Sequence, residues 1–333
     1  DQSFGEGGDE SIIKCGSYDP SGSDLQVDCG WEPQWLMVHR SSGTGTVWTN
    51  WGIFDNMRGV VTDGNDTPLA ANLSTAEGGT NLYGSSPIVE FNANGFLIKN
   101  GITLAGTSGE TYIYMAIRRG PMKTPTDATE VFTPVRPSSS GTLTATTGFV
   151  TDWSIIKSPL SGGATYAGTR LTGGATLTPH SNVAEWTVNF SFDFMDKTTI
   201  AGSGDYSTWI AWNFKRAPGF FDVVCYDGTN SVKTESHNLG VAPEMMIFKC
   251  RDAAEHWAVY HKDLTSAGHH LLLNKDNDED TNSGTWNSTD PTASVFTVGV
   301  DNYSNGPTET YVAYLFASCP GVSKVGTYDG DSD

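Results

Sequence analysis

The chain has 333 residues, with 19 lysines and arginines against 38 aspartates and glutamates, which gives a formal net charge of −19 at pH 7. Such an acidic surface repels nucleic-acid phosphates and anionic membranes, so the composition argues against a nucleic-acid binder. No stretch reaches the roughly 18 apolar residues of a transmembrane helix, so membrane insertion is not expected. The 38 glycines, with many threonines, serines and asparagines, indicate an all-β protein rich in turns.

The first predicted strand, SIIKCGSYD from Ser11, is followed by the segment GWEPQWLMVHR from Gly30. A glycine suits a turn, and the apolar run after it predicts a strand buried on both faces. Strands around Leu69 and in VEFNANGF come next. The segment TYIYMAIRRGP, residues 111–121, has apolar residues on both alternating faces, which predicts a central strand covered on both sides. Its proline cannot donate a ladder hydrogen bond and should end that strand.

Two of these segments recur twice more along the chain. The glycine-led segment returns as GFVTDWSIIKS from Gly148 and as GVAPEMMIFKC from Gly240. The proline-terminated strand returns as TWIAWNFKRAPG from Thr208 and as TYVAYLFASCPG from Thr310. The first strand has counterparts in EVFTPVRP and GFFDVVCYDG. The spacing therefore predicts three tandem repeats, each a small antiparallel β-sandwich of six or seven short strands without a convincing helix.

The predicted domains follow from these repeats. Repeat 1 is predicted to span residues 1–122, repeat 2 residues 123–218, and repeat 3 residues 219–321. A C-terminal piece follows at residues 322–333. The C-terminal piece contains SKVGTYDGDSD, which repeats the first-strand pattern. It either begins a fourth repeat, which we favour, or supplies a closing strand. Units of this length are too long for a solenoid, and propeller blades are shorter and more numerous than three.

The three prolines that end the repeated strand also predict how the domains are joined. Boundaries are expected within a few residues of Pro121, Pro218 and Pro320. After Pro218 the next first strand begins within about five residues, and a linker that short leaves few bonds free to rotate. The spacer after Pro121 is longer and polar. Repeats 2 and 3 are therefore expected to form the more rigid pair.

The five cysteines are expected to be small buried residues within strands, with free thiols. They form no CxxC pair and are too few for a disulfide scaffold. They are Cys15, Cys29, Cys225, Cys250 and Cys319.

The sequence offers little catalytic chemistry. It contains no GxSxG elbow, HExxH, P-loop or dinucleotide glycine pattern, so no catalytic or cofactor-binding residue is predicted. Adjacent histidines such as His269 and His270 face opposite ways on a strand and cannot share a metal. Acid pairs that could hydrolyse a glycan must lie roughly 5–10 Å apart in an aromatic-lined groove, a distance that sequence does not give.

One acidic cluster could bind a metal ion. In NKDNDEDTNSG, the carboxylates of Asp276, Asp278 and Asp280 could supply oxygen ligands to calcium. The cluster lacks the glycine expected after the third acidic position, and the twelfth position holds Asn287 instead of a glutamate. A solvated hairpin tip is therefore the favoured interpretation, and no metal site is predicted.

Three tryptophans border polar loops and could stack on sugar rings: Trp48, Trp51 and Trp257. For each of them a place in the hydrophobic core is the favoured interpretation, because most tryptophans in a domain are largely buried. As ligand-binding residues they remain a hypothesis.

Several segments of repeat 3 carry a resemblance to a known family: GFFDVVCYDGTN, SHNLGVAPEMMIFK, HWAVYH, SVFTVG and TYVAYLFASCPGVSKVGTYDG. They resemble a repeat domain of unknown function found in tail fibres and other virion structural proteins of marine and other tailed bacteriophages. The resemblance covers residues 219–330 closely, repeat 1 keeps the pattern with substitutions, and repeat 2 departs most. It supplies no catalytic residues.

This resemblance implies a protein on the surface of a virion. Its expected partners are other virion proteins, further copies of the chain (a trimer in a fibre), and a host glycan or receptor. The leading hypothesis is a non-enzymatic structural protein, most simply a tail-fibre segment. The alternative is a glycan- or receptor-binding adhesin module on a capsid decoration or a cell-surface filament. A depolymerase is the enzymatic hypothesis, and it is the least favoured of the three.

Overall fold

A computed structural model of the chain describes most of its residues. The described residues are 11–43, 50–58, 60–62, 64, 66–75, 87–100, 107–119, 123–136, 142–160, 164–187, 190–194, 196–200 and 206–330. Their strands pair in antiparallel fashion, and helix is confined to single turns at Ala128–Glu130, Arg170–Thr172 and Ser283–Trp286. The prediction of an all-β protein built from antiparallel β-sandwiches is confirmed. None of the described helices has the length and apolar character needed to cross a membrane.

The chain divides into two compact units. Unit 1 comprises residues 1–121 together with Arg170–Gly173, and unit 2 comprises Met122–Thr169 and Gly174–Asp333. Repeats 2 and 3 thus lie in the same unit, apart from the four residues assigned to unit 1. The division of the chain into three domains stays a prediction.

Repeat 1 is a sandwich of two sheets. Its strands are β1 (Ile13–Tyr18), β2 (Leu25–Asp28), β3 (Pro33–Ser42), β4 (Gly52–Asp55), β5 (Leu69–Ala70), β6 (Val89–Asn92), β7 (Gly95–Ile98) and β8 (Thr111–Arg118). The main sheet has the order β1-β8-β3-β4-β5, and the second sheet has the order β2-β7-β6. Alternate residues of β8, Tyr112, Tyr114 and Ala116, are buried between the sheets, where Phe96 packs edge-on against Tyr114.

Repeat 2 is built on the same plan with shorter strands. They are β9 (Phe132–Val135), β10 (Leu143–Thr146), β11 (Trp153–Lys157), β12 (Tyr166–Thr169), β13 (Ala175–Thr176), β14 (Trp186–Thr187), β15 (Phe190–Phe194), β16 (Lys197–Ile200) and β17 (Ile210–Phe214). The main sheet has the order β12-β11-β17-β9, beside the sheets β10-β16-β15 and β13-β14. Pro134 lies in β9, which is an edge strand, where a missing ladder donor is tolerated.

The main sheet of repeat 3 has six described strands, more than the main sheets of repeats 1 and 2. Its elements are β18 (Phe221–Asp227), β19 (Lys233–Ser236), β20 (Met245–Cys250), β21 (Ala258–His261), β22 (His269–Leu272), β23 (Asp280–Thr281), the helical turn α1 (Ser283–Trp286), β24 (Val295–Val298) and β25 (Thr310–Phe316). The main sheet has the order β18-β25-β20-β21-β22-β23, and β19 pairs with β24. Phe296 of the small sheet packs edge-on against Tyr226 and Phe248 of the main sheet.

The same strand order occurs in all three main sheets. The first strand of the repeat lies at an edge, beside the proline-terminated strand, which in turn pairs with the glycine-led strand. Gly30, Gly148 and Gly240 have φ angles of 78°, 78° and 75°, a region that residues with a Cβ rarely adopt, so the predicted glycine turns are confirmed. The described strands counted per repeat exceed the predicted six or seven because several are only two to five residues long.

The proline-terminated strands end before their prolines. β8 ends at Arg118, β17 at Phe214 and β25 at Phe316. Pro121 itself lies outside the described residues. Residues 323–330 lie in no strand, and Tyr328 among them is 93% exposed. Whether this segment begins a fourth repeat stays a prediction.

A buried carboxyl group holds the segment before β6. Asp66 is 6% exposed, and its Oδ2 accepts hydrogen bonds from the backbone N–H groups of Ile88 (2.6 Å) and Val89 (2.8 Å). Its Oδ1 accepts a longer bond of 3.3 Å from the N–H of Val61. Burial raises the pKa of Asp66 to about 7, although these donors and the nearby Lys99 oppose that rise.

We expect this raised pKa to make stability fall as the pH rises from about 4 to about 7. In that window the unfolded chain has lost the Asp66 proton, whereas the folded chain still binds it. Raising the pH therefore favours the unfolded chain, and the free energy of unfolding falls until Asp66 is ionised in the folded chain as well. The full effect is at most roughly 4 kcal/mol. Urea unfolding of the wild type, Asp66→Asn and the exposed control Asp19→Asn would measure it. Equal pH dependence in wild type and Asp66→Asn would contradict the prediction.

Candidate functional site

The main sheets of repeats 2 and 3 face one another through aromatic side chains. We call the face of a main sheet that points away from the second sheet of its own repeat the outer face. From the outer face of repeat 2, the Trp153 ring stacks at 4.5 Å on Tyr314 and at 5.5 Å on Phe221. Phe214 lies 5.5 Å from Phe221 and 6.3 Å from Phe316. This junction is a second hydrophobic core, made from two outer faces.

A buried arginine ties the two repeats together at the side of this aromatic layer. The Arg216 guanidinium lies 3.6 Å from the carboxylate of Asp152 in repeat 2 and 3.6 Å from that of Asp222 in repeat 3. All three residues are at most 4% exposed. The Asp152 carboxylate also accepts the backbone N–H of Arg216 (2.7 Å), and Asp222 accepts the N–H of Asn238 (2.7 Å). Charges this deeply buried must be paired to be tolerated.

A loop of repeat 2 adds polar contacts to the junction. Glu185 forms two hydrogen bonds with the guanidinium of Arg251, of 2.8 and 3.0 Å, and its N–H donates to the Arg251 carbonyl. The indole N–H of Trp257 donates to the carbonyl of Ser181 at 3.0 Å. Bidentate carboxylate–guanidinium pairs fix orientation as well as distance. Repeats 2 and 3 are therefore held in one defined arrangement.

The three candidate tryptophans differ in how far the structure buries them. Trp257 is 1% exposed, because its ring is covered at the junction, so its favoured place in the hydrophobic core is confirmed and its ring offers no exposed face to a sugar. Trp51 is half-buried and stacks on His39 with ring centres 4.2 Å apart. Trp48 lies outside the described residues. As a ligand-binding residue, Trp51 stays a hypothesis.

The acidic cluster at the tip of repeat 3 is open to solvent. Asp276, Asp278 and Asp280 are all exposed, and Glu279 between them accepts hydrogen bonds from the N–H and hydroxyl groups of Thr265. Those bonds lower the pKa of Glu279. Within the part of the chain that the structure describes, no three histidine, cysteine, aspartate or glutamate side chains converge as they would around a metal ion.

The five cysteines are free thiols, as expected; Cys29, Cys250 and Cys319 are buried and Cys225 is half-buried. Cys29 and Cys319 lie just beyond the ends of β2 and β25, so the prediction that all five are buried within strands is only partly right. Cys15 differs, because it is exposed. The reason is its position on β1, an edge strand of the main sheet, where it points to the outer face of repeat 1.

One polar depression of about 480 Å³ opens on repeat 3, near the acidic cluster. It is lined by His270, Asp280, Thr281, Asn282, Val300, Asp301, Asn302 and Tyr303. Asp301 is oriented by two hydrogen bonds, from the Asn282 amide (2.6 Å) and from the N–H of Tyr303 (2.7 Å). The lining residues carry two carboxylates and no lysine or arginine, so the depression attracts hydrogen-bond donors and cations.

A buried histidine forms part of the wall of this depression. His270 is 2% exposed, and its Nδ1 has no hydrogen-bond partner among the described residues. Burial lowers the pKa of His270, although Asp280 and Asp301 oppose that change, so the neutral imidazole is favoured at pH 7. Its neighbour His269 is turned to Ser266, with 2.9 Å between Nδ1 and the hydroxyl oxygen. The side chains of the two adjacent histidines thus lie on opposite faces of the strand, as strand alternation predicts.

The pairing of Asp152 with Arg216 was not predicted from the sequence. A signal was present, because the fifth residue of each glycine-led segment is acidic or amide: Gln34, Asp152 and Glu244. In repeat 3 the equivalent Glu244 accepts a hydrogen bond from Ser318, which lies two residues before its proline, as Arg216 does. His270, Asp301 and Tyr303 carried no comparable signal, since distant turns bring them together.

The fold and the junction define a class of protein, that of all-β proteins built from antiparallel β-sandwiches, two of which pack here through their main sheets. Residues 10–121 and 172–333 match the family described as a domain of unknown function (DUF7483). These segments cover most of the sequence, and the chain belongs to this family. No curated protein shows significant similarity to the chain. No solved structure does so either.

Proposed function

We propose that the chain is a non-enzymatic structural protein that forms a segment of a phage tail fibre or a related virion appendage. The supporting observation is the buried junction of repeats 2 and 3, where Trp153 and Arg216 lock two sandwiches in one arrangement. A load-carrying rod needs such fixed joints, whereas separate binding domains are commonly joined by flexible linkers. The virion location comes from the resemblance of residues 219–330 to repeats of phage structural proteins.

Electron microscopy of particles from the source, labelled with an antibody against the chain, would test this proposal. We expect labels at regular positions on an external appendage. A label confined to the interior of the particle, or a chain absent from purified particles, would reject the assignment. Incubation of the chain with host envelope polysaccharide should release no oligosaccharide.

The depression in repeat 3 supports a second candidate function, that of a binding module for a host glycan. Carboxylates such as Asp280 and Asp301 accept hydrogen bonds from sugar hydroxyls, and the Tyr303 ring offers a face for stacking. Structural and binding roles are compatible, since a rigid appendage can present such a site.

A glycan array of bacterial surface oligosaccharides would test this second candidate. Asp280→Asn and Tyr303→Ala should reduce the signal of any glycan bound by the wild type. Asp276→Asn is the matched control, because Asp276 is an exposed aspartate of the same loop that does not line the depression. Absence of binding by the wild type, or equal loss with Asp276→Asn, would count against a site in the depression.

A further inference from the structure

The outer face of the main sheet of repeat 1 is apolar but not buried. It is formed by alternate residues of four neighbouring strands, each exposed or half-buried: Ile13, Cys15, Trp35, Met37, Ile53, Ile113, Met115 and Ile117. Strand pairing places them side by side, with Met115 opposite Cys15 on one flank and opposite Met37 on the other. Ile13 is 52% and Ile113 is 37% exposed. A continuous apolar patch on a sheet is a typical protein-binding surface.

The equivalent face of repeat 3 is covered. Tyr112 and Tyr311 each lie nine residues before the proline that follows their strand, which aligns Met115 with Tyr314. Strand pairing then aligns Cys15 with Val223, Met37 with Ile247, and Ile53 with Val259. Six of the eight counterparts in repeat 3 are less than 9% exposed: Phe221, Val223, Ile247, Val259, Val312 and Tyr314.

The cover over repeat 3 is another outer face of the same kind. Trp153 and Phe214, which contact Phe221 and Tyr314, belong to the main sheet of repeat 2. This contact buries Trp153 of repeat 2 and the six residues of the repeat 3 face, while Phe214 stays half-buried. The corresponding residues of repeat 1, all within the described part of the chain, are exposed or half-buried, although burial of that surface is favourable for the same reason.

We propose that the outer face of repeat 1 pairs with the same face of a second copy of the chain, across a two-fold axis. The occupant follows from the pairing of repeats 2 and 3, because within the chain an outer face is covered by an outer face. In a homodimer the repeat 1 face of a second copy supplies that cover, and a two-fold axis makes one patch complementary to itself. This inference concerns unit 1 and does not depend on the virion assignment. It predicts a dimer, in contrast to the trimer expected for a fibre.

Sedimentation equilibrium of the 333-residue chain over a range of micromolar concentrations would test the pairing. We expect a monomer–dimer equilibrium, and we expect Ile113→Lys and Ile13→Lys each to raise the dissociation constant about tenfold or more, since a charge would be buried in an apolar interface. Val232→Lys is the matched control, because Val232 is 53% exposed and lies in repeat 3. Circular dichroism and the urea midpoint would show that each variant folds.

Cys15 provides a second readout, because it lies within the proposed interface and is the exposed thiol among the five. Its alkylation by a maleimide, followed by peptide mass spectrometry, should slow as the protein concentration rises. In Ile113→Lys the rate should not depend on concentration. A monomer at every concentration, a trimer, association that both lysine variants leave unchanged, or a Cys15 rate independent of wild-type concentration would overturn the proposal.

Discussion

Replacing Trp153 with alanine is expected to destabilise unit 2 by about 3–5 kcal/mol and to uncouple repeats 2 and 3. The indole is 3% exposed and lies between Phe214 of its own sheet and Phe221 and Tyr314 of the opposite sheet. Removing it opens a cavity in the middle of the junction, where neither sheet can close the gap without moving against the other. We therefore expect the variant to unfold in two separate transitions within unit 2.

Urea unfolding followed by circular dichroism, with proteolysis between the repeats as a second probe, would measure this effect. Trp186→Ala is the control, because Trp186 is 46% exposed and its loss removes less buried surface. A loss of only about 1 kcal/mol with a single unchanged transition is expected for the control. The same outcome for Trp153→Ala would show that the junction does not contribute to stability as the structure indicates.

Replacing Arg216 with methionine is expected to cost about 3–5 kcal/mol, because it leaves two buried carboxylates without the cation that lies between them. Methionine keeps much of the apolar stem of the arginine, so the loss reports the charge and its hydrogen bonds and not the packing. The two carboxylates belong to different repeats, and their repulsion should loosen the junction itself. The variant should therefore become sensitive to proteases near Pro218.

A double-mutant cycle would separate this pairing from general damage. The double variant Asp222→Asn/Arg216→Met should lose clearly less stability than the sum of the two single variants. Arg216→Met leaves the Asp222 carboxylate buried without its cation, and Asp222→Asn removes that unpaired charge. Lys262→Met is the control for a half-exposed ion pair, that of Lys262 and Glu244, and should cost about 0–1 kcal/mol. Strict additivity in the cycle would contradict the role given to Arg216.

Much of the fold could be read from the sequence because its signals are local. The turn glycines Gly30, Gly148 and Gly240 and the strands that follow them depend on backbone sterics and on alternation over a few residues. Repetition strengthens such signals, since a pattern that is ambiguous once is convincing three times. The apolar residues on both faces of TYIYMAIR were also visible, and they predicted a strand covered on both sides.

That prediction was half right for repeat 1, and the reason is instructive. Tyr112 and Tyr114 are buried by the second sheet of their own repeat, whereas Ile113 and Met115 are exposed or half-buried. Alternation shows that a face is apolar but does not show what covers it. The cover of the repeat 3 outer face comes from residues of repeat 2 that lie far away along the chain, such as Trp153, and its position depends on packing between whole sheets.

The features of the candidate sites can likewise be separated into those set by local sequence and those set by tertiary packing. The free thiols and the solvent-exposed tip at Asp276 follow from composition and from turn chemistry, which act within one segment. The burial of Trp257 against Ser181 and the pairing of Asp152 with Arg216 join residues 76 and 64 positions apart, and the depression brings His270 together with Asp301 and Tyr303. Burial and ion pairing depend on distance in space, and chain connectivity sets that distance only between near neighbours. These features are therefore decided by how the sheets pack against one another, which the sequence alone does not give.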